Sequence, residues 1–155
     1  METKIEPGTP GWQQRHTELY LKSNGAEGHV VDFKRPGVPP VNCLLLQTTG
    51  RQSRTPKISP LIYGEDGGGF VVVASRGGAP THPAWFLNLR DNPEVRFQVV
   101  DKKYRGVARI TAGAERERLF RKMAGLFPPY TDYQAKTARE IPVVVLEPQG
   151  AVERL

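Results

Sequence analysis

Short apolar stretches separated by turn-forming residues recur along most of the chain. Their length, and the alternating or β-branched composition of several, favour strands over helices. Asp66-Gly67-Gly68-Gly69 is a hairpin-turn sequence, and the other connections are mostly too short for the crossovers that parallel strands need. The pattern predicts an antiparallel barrel of about six strands, at residues 43–46, 58–63, 70–74, 95–100, 104–111 and 143–146.

Three further segments have helical signals. The first, residues 9–24, has Thr9 as N-cap, Pro10 as its first helical position, and an apolar face formed by Trp12, Leu19 and Tyr20. A short helix is expected from residue 83 to the Asn92-Pro93 pair, and a longer amphipathic one over residues 119–127. With these helices flanking the barrel, the expected fold class is α+β and mainly β.

Composition indicates one globular domain over residues 1–155, with 38% hydrophobic and 25% charged residues. Cys43 is the only cysteine, which excludes an intrachain disulfide or a zinc site with two thiolates and favours a cytoplasmic location. The N-terminus lacks the apolar core of a signal peptide, and no run approaches roughly 18 apolar residues. We therefore expect a protein that is dissolved or rests on a membrane surface.

The positive charge is concentrated in one part of the chain. Formal net charge is +6, and residues 33–64 hold Lys34, Arg35, Arg51, Arg54 and Lys57 without any Asp or Glu. This distribution predicts an anionic partner, and a phosphate or carboxylate ligand, nucleic acid and anionic lipid all fit it.

Two turns are candidate anion sites. The Gly-rich turn at residues 48–54, followed by Lys57, can present backbone N–H groups beside several cations, although a solvated hairpin would have the same composition. The loop from Ser75 to Trp85 contains Gly77 and Gly78 before the short helix, and here an anion site and a plain connection are equally compatible with the sequence.

Other chemistry is sparse. The paired Tyr130 and Tyr133 offer planar faces with polar tips. The histidines have neither metal-ligand spacing nor a partner nucleophile, so we expect structural roles and no metal site for His16, His29 and His82. Cys43 lies in an apolar run and is interpreted as a buried hydrophobe. No dinucleotide, P-loop or serine hydrolase motif is present.

Several motifs, in order, resemble one family. They are Thr48-Thr49-Gly50-Arg51, Pro60-Leu61, Val72-Val73-Ala74-Ser75-Arg76-Gly77-Gly78-Ala79, His82-Pro83-Ala84-Trp85-Phe86-Leu87-Asn88-Leu89, Pro128-Pro129-Tyr130-Thr131-Asp132-Tyr133-Gln134 and Arg139-Glu140-Ile141-Pro142-Val143-Val144-Val145. Over residues 28–148 the chain is similar to deazaflavin (coenzyme F420)-dependent nitroreductases and quinone reductases. The resemblance implies a split β-barrel related to flavin-nucleotide oxidases, and an oxidoreductase that passes a hydride from reduced F420 to a quinone or nitro compound.

The resemblance also implies site residues. Contacts to the phosphate and polyglutamate tail fall on Arg51, Gln52, Ser53, Arg54 and Lys57. Contacts to the deazaflavin ring fall on Ser59, Pro60, Leu61, Ile62, Val73, Ala74, Ser75, Arg76, Ala84, Trp85, Phe86, Leu87 and Asn88. Tyr130 is expected beside both cofactor and acceptor, where with support from Ser75 it would polarise the acceptor oxygen. Trp12 and Tyr133 are further candidate substrate contacts.

The chain departs from the family pattern in the cationic turn. Gln52 stands where Lys is common, Arg54 where Gly is usual and Lys57 where Arg is usual. We expect binding of the cofactor's anionic tail to be weaker or to use a different set of side chains, with Arg54 replacing the charge missing at Gln52.

Two other functions are compatible with the same fold. A non-catalytic F420 carrier on the same fold differs from an enzyme only in turnover. A basic barrel that binds nucleic acid needs exposed aromatic residues on its strands, and only Phe70, Phe97 and Tyr104 are available, so we expect no nucleic acid partner. For the N-terminal helix, packing on the barrel rim is favoured over contact with an anionic leaflet at the inner face of the cell membrane. The pattern leaves the oligomeric state open.

Overall fold

The computed structural model describes residues 5–155, which form four helices around a curled antiparallel sheet of eight strands. The helices are α1 (Trp12–Lys22), α2 (Ala84–Asp91), α3 (Gly113–Leu126) and α4 (Pro129–Lys136), with a 3₁₀ turn at Arg76–Gly78. The strands are β1 (Val30–Val31), β2 (Val41–Thr49), β3 (Pro56–Ile62), β4 (Gly64–Asp66), β5 (Gly69–Val73), β6 (Glu94–Val99), β7 (Lys102–Ile110) and β8 (Val143–Ala151). The predicted α+β, mainly β, class is confirmed.

One extended segment connects the two ends of the sheet. The strand order is β1-β2-β6-β7-β8-β5-β4, and β3 also pairs with β2. Within the segment, β3 pairs with β2, with Ile62 opposite Cys43, and its continuation β4 pairs with β5, with Gly64 opposite Val71. Tyr63 lies where the segment changes partner. The sheet is therefore a split barrel, as predicted, but has eight strands rather than about six, because β1 and β4 are too short to show a hydrophobic pattern.

The hairpin turn predicted at residues 66–69 joins β4 to β5. Gly67 and Gly68 have φ values of 57° and 84°, the left-handed region in which a side chain is strained. Positive φ at both central residues is typical of the two-residue turns whose twist matches that of the strands. The turn sequence therefore predicted this connection correctly.

The two faces of the sheet bury two separate apolar clusters. On β5, Val71 and Val73 pack in the cluster that contains Met123 of α3, whereas Val72 packs in the cluster that contains Trp85 of α2. Successive strand residues point to opposite faces, so a continuous apolar run fills both clusters. The long and short helices thus cover different faces of one sheet.

Helix α1 begins later than expected. Gly11, with φ 71°, is its N-cap, and Trp12 is the first helical residue, so Thr9 and Pro10 lie in the preceding turn. The Thr9 hydroxyl donates to the Glu6 carbonyl at 2.6 Å rather than to the helix, which is why the predicted cap was wrong.

The aromatic face of α1 packs on the barrel. The Tyr20 hydroxyl donates to the Cys43 carbonyl at 3.1 Å and accepts from the Val100 N–H at 2.8 Å, and Tyr20 is fully buried. His16 is also buried and donates from Nε2 to the Gly28 carbonyl at 2.7 Å. Gly25 follows the helix so closely that a Cβ there would lie 2.0 Å from the Val100 carbonyl oxygen. The helix is therefore anchored at β2 and at the β6–β7 turn.

Helix α4 was not predicted. Pro128-Pro129 does stop α3, which ends at Leu126, but Pro129 then begins a new helix. Proline suits the first helical turn because its missing N–H needs no partner there. Within residues 5–155, none of the helices has the length and apolar character needed to cross a membrane.

Candidate active site

A cleft of about 1120 Å³ lies between α1 and the barrel. One wall comes from β3 and the other from α1, and the loop after β5, the start of α2 and the α3–α4 junction complete the lining. The predicted site residues that line it are Trp12, Arg51, Ser59, Pro60, Leu61, Ile62, Val73, Ser75, Arg76, Ala84, Trp85, Leu87, Tyr130 and Tyr133.

Strand β3 connects the two chemical ends of this cleft. It starts with Pro56, paired with Thr49 beside the cationic turn, and ends with Ile62, paired with Cys43. Cys43 belongs to the same cluster as Tyr130. A ligand lying along β3 therefore has cations at one end and a tyrosine at the other.

Arg51 is the residue of the cationic turn that reaches the cleft. Its backbone N–H and its guanidinium both donate to Asn88 Oδ1, at 3.2 and 3.0 Å. Asn88 is buried and donates in turn to Thr48 Oγ1 at 3.2 Å. Asn88, predicted as a ring contact, thus lies behind the cleft wall and holds Arg51.

The rest of the turn is exposed and outside the cleft lining. The Ser53 and Thr55 hydroxyls are 2.8 Å apart, and the Gly50 N–H donates to the Thr55 carbonyl at 2.8 Å. Gln52, Ser53, Arg54 and Lys57 therefore stand beside the mouth, where they can meet only a part of a ligand that extends out of it. In the described part of the chain, neither Arg54 nor Lys57 forms an ion pair with a carboxylate.

Two other predicted ring contacts are also behind the lining. Ala74 is fully buried and Phe86 is 4% exposed, and both pack in the cluster under α2. They shape the wall formed by their neighbours Val73, Ser75 and Trp85 without reaching its surface.

Arg139 organises the loop after β5, a role that sequence reasoning missed. Its guanidinium donates to the carbonyls of Ala74, Ser75 and Ala79 at 3.2, 2.7 and 2.9 Å. Gly78 in this loop has φ 83°, and a Cβ there would lie 2.8 Å from the Tyr133 carbonyl oxygen, so α4 presses on the loop from the other side. Arg139 and α4 thus fix the loop in place, and with it the positions of Ser75 and Arg76 in the cleft wall.

An arc of aromatic rings forms the side of the cleft opposite the cationic turn. Adjacent pairs have ring centroids 5.9, 5.1, 5.0 and 6.3 Å apart, in the order Trp12, Phe33, Phe127, Tyr130 and Tyr133. Phe33 and Phe127 were not among the predicted site residues. Phe127 carried a helical core signal, but nothing in the local pattern marked Phe33.

The two tyrosine hydroxyls differ in surroundings. Tyr130 is 4% exposed, and burial raises its pKa, as do the nearby Cys43 and Tyr133. Tyr133 accepts a hydrogen bond from the Arg35 guanidinium at 3.1 Å, so its own proton is free to be donated. The Tyr130 hydroxyl therefore stays protonated at neutral pH.

Other residues that the sequence singled out have surroundings that restrict their chemistry. Burial raises the pKa of the Cys43 thiol to about 12, so the thiol stays protonated. His29 Nε2 lies 2.8 Å from the Tyr63 hydroxyl. Within residues 5–155, no group of three or more His, Cys, Asp or Glu side chains could hold a metal ion. Phe70, Phe97 and Tyr104 pack on one another, with ring centroids 5.2 to 5.9 Å apart, rather than forming a stacking surface for bases.

Comparison with known proteins is decisive for the family. The model of the F420H(2)-dependent quinone reductase family matches residues 12–148. This chain belongs to that family. An F420H(2)-dependent quinone reductase of Mycobacterium tuberculosis H37Rv is 38% identical over 134 residues, which are 84% of this chain and 86% of that protein. The chain is therefore an oxidoreductase, and its cofactor is coenzyme F420.

Solved structures agree with the fold. An F420-H2 dependent reductase, FDR-A, is 40% identical with a TM-score of 0.64, covering 68% of this chain and 93% of that one. A Listeria innocua structure described as a pyridoxamine 5′-phosphate oxidase is 14% identical with a TM-score of 0.52, covering 72% of this chain and 88% of that one, and shows the shared fold alone. The predicted split-barrel fold is thereby confirmed.

The cleft fits the family's cofactor. F420 combines a planar deazaflavin ring with an anionic phosphate and polyglutamate tail, and the cleft combines an apolar wall along β3 with two cations. In the described residues, Arg51 and Arg76 form no ion pair with a carboxylate, so both charges are available to an anion. Glu18 on α1 is the one carboxylate in the lining among residues 5–155.

Proposed function

We propose that this protein catalyses hydride transfer from reduced F420 to a quinone within the cleft between α1 and β3. Membership of the F420H(2)-dependent quinone reductase family supplies the cofactor and the reaction class. The observation that carries the proposal is the course of β3, which leads from the cationic turn to the tyrosine end of one continuous cleft. A tailed planar cofactor and a small planar acceptor can lie there together.

The proposed cofactor contacts follow the two walls. Ring contacts are assigned to the lining residues of β3, the loop after β5 and α2, namely Ser59, Pro60, Leu61, Ile62, Val73, Ser75, Arg76, Ala84, Trp85 and Leu87. Arg51 meets the phosphate, and the exposed Gln52, Ser53, Arg54 and Lys57 meet the extended tail. Ala74, Phe86 and Asn88 support these residues from behind.

The acceptor is placed between the cofactor and the aromatic arc. When bound, reduced F420 supplies the hydride. Tyr130 keeps its proton because its pKa is raised, so its hydroxyl can donate to the acceptor oxygen on which negative charge develops. Ser75, 8% exposed at the cleft wall, adds a second hydroxyl, and Trp12 and Tyr133 hold the acceptor ring.

Two finer points stay predictions. A nitro compound offers a conjugated plane with terminal oxygens, as a quinone does, and is the second acceptor class to test. Contact with an anionic leaflet would use Trp12, Arg15 and Lys22. Lys22 is exposed, but Trp12 packs edge-on against Phe33 and Arg15 donates to the Pro10 carbonyl at 2.6 Å. These contacts support a packing role for α1.

Single-turnover and steady-state measurements test the proposal. The protein is mixed with reduced F420 and a water-soluble quinone, and the appearance of oxidised deazaflavin is followed by absorbance; a nitroaromatic replaces the quinone in a parallel series. Tyr130→Phe is the matched variant and Tyr104→Phe, outside the cleft, the control. Oxidation of F420 at the protein-free rate with every quinone tried would overturn the proposal.

A further inference from the structure

His82 lies at the cleft wall and is held from behind by Arg139. Arg139 Nη1 is 3.2 Å from His82 Nδ1, and the same guanidinium donates to the Ala74, Ser75 and Ala79 carbonyls. These four interactions use donors only, because a guanidinium has no acceptor. The geometry around Arg139 therefore requires His82 Nδ1 to be the acceptor.

An imidazole that accepts at Nδ1 is neutral and carries its proton on Nε2. The surroundings favour the same state: burial lowers the pKa of His82, and the charges of Arg139 and Arg90 lower it further. Arg139 thus selects one tautomer of a neutral ring. In the part of the chain that the structure describes, Nε2 has no hydrogen-bond partner of its own.

The ring is also fixed in orientation. Phe86 packs against it, with ring centroids 4.7 Å apart, and Arg139 occupies the Nδ1 edge without lining the cleft. His82 itself lines the cleft, together with its neighbours Thr81 and Pro83. The edge left for a ligand is therefore the one that carries the Nε2 proton.

We propose that His82 is a ligand-binding residue that donates from Nε2 to an oxygen of the bound F420, and that Arg139 is the positioning residue that fixes its tautomer. This rests on the proposed function, which places the cofactor in this cleft. The ligand group is an oxygen acceptor, either a carbonyl of the deazaflavin ring or the phosphate. Arg76 and Arg51 line the same cleft and are also donors, so the Nε2 edge of His82 adds to a set of groups that suits a negatively polarised oxygen.

The tautomer is tested first on the protein without ligand. The ¹⁵N chemical shifts of the His82 ring are expected to show a protonated Nε2 and an unprotonated Nδ1 at neutral pH. Arg139→Gln is expected to bring in the Nδ1-protonated form while leaving His29, which is remote from Arg139, unchanged. A His82 ring protonated at Nδ1 in the unmodified protein would overturn the inference.

Binding is tested with two substitutions of opposite design. His82→Asn keeps an acceptor near the Nδ1 position for Arg139 but has no donor at the Nε2 position, whereas His82→Gln can place an amide N–H there. We expect His82→Asn to weaken F420 binding by about tenfold, on the scale of one hydrogen bond to a charged or polarised oxygen, and His82→Gln to recover most of the loss. His29→Asn is the control because His29 lies outside the cleft lining.

Full F420 and a phosphate-free deazaflavin nucleoside distinguish the two oxygen sources. An equal loss for both in His82→Asn supports a ring oxygen, and a loss for full F420 alone supports the phosphate. Unchanged binding of both molecules, with normal binding by the unmodified protein, would refute the His82 contact and leave the proposed function intact. An unmodified protein that binds neither molecule would overturn the proposed function together with this contact.

Discussion

Arg51 and Asn88 form a two-point contact in which the backbone N–H and the guanidinium of the arginine converge on one amide oxygen, at 3.2 and 3.0 Å. Asn88 is buried on α2 and donates to Thr48 on β2. The contact therefore ties the start of the cationic turn to both α2 and β2. An exposed turn thus presents one cation at a fixed place beside the cleft.

Arg51→Ala is expected to weaken F420 binding by about 1–3 kcal/mol, because the substitution removes a charge-assisted hydrogen bond from the Arg51 guanidinium to the cofactor. Binding of the unmodified protein should also weaken at higher salt, because the exposed tail contacts are screened. Fluorescence titration with full-length and tail-less F420 measures both effects, with Arg121→Ala as an exposed control. The tail-less form lacks the phosphate as well as the glutamates, so an equal loss for both cofactor forms would place Arg51 away from the phosphate and the tail.

Tyr130→Phe is expected to lower turnover about tenfold or more and to leave F420 affinity nearly unchanged, because the hydroxyl acts on charge that appears only during hydride transfer. Stopped-flow oxidation of reduced F420 by a quinone and an equilibrium titration give the two quantities separately. Normal turnover with normal binding would assign Tyr130 to packing alone.

Stability is expected to fall as the pH drops below about 6.5. Burial lowers the pKa values of His16, His29 and His82, so the unfolded chain binds protons in a range where the folded protein does not. Their contribution is complete above the ordinary value of 6.5 and is lost as the pH falls toward the lowered values. Melting temperatures measured between pH 7.5 and 5 test this.

The carboxyl of Asp66 titrates in a separate window. The guanidinium of Arg118 and the ammonium of Lys122 lower its pKa to about 2, so the Asp66 carboxyl stays ionised over the pH range of the melting experiment.

The histidine explanation is tested with His16→Gln, which should reduce the slope of melting temperature against pH. An unchanged melting temperature down to pH 5 would contradict the histidine explanation.

A chain starting at Gly25 is expected to have a lower melting temperature and an altered Michaelis constant for water-soluble quinones, since Tyr20 and its hydrogen bonds to the barrel are lost with α1. Trp12→Ala, which keeps the helix, should change the quinone constant without changing F420 affinity. Normal stability combined with lost binding to anionic vesicles would instead favour the membrane role, and retention of stability, turnover and vesicle binding would refute both roles.

The sequence alone predicted those features that depend on residues adjacent along the chain. The cationic turn around Arg51, the glycine hairpin at residues 66–69 and the strand and helix signals depend on neighbouring residues, so their positions were visible without a structure. Each family motif is contiguous and was therefore recognisable in the sequence, and the resemblance implied that Trp85 and Tyr130 share one site; both line the cleft. The start of α1 was misplaced since Thr9 bonds backward to Glu6, a choice that no propensity distinguishes.

Only the tertiary structure decided which distant residues meet. Arg35 reaches Tyr133 across 98 positions, and Arg139 reaches Ser75 across 64. Tyr63 lies where one extended segment changes its strand partner. Phe33 belongs to the aromatic arc because it packs against Trp12 of α1 and against Phe127 at the end of α3. Such contacts form because buried carbonyl groups need hydrogen-bond donors and buried rings need close packing. Which side chains are near enough to provide them depends on the path of the whole chain.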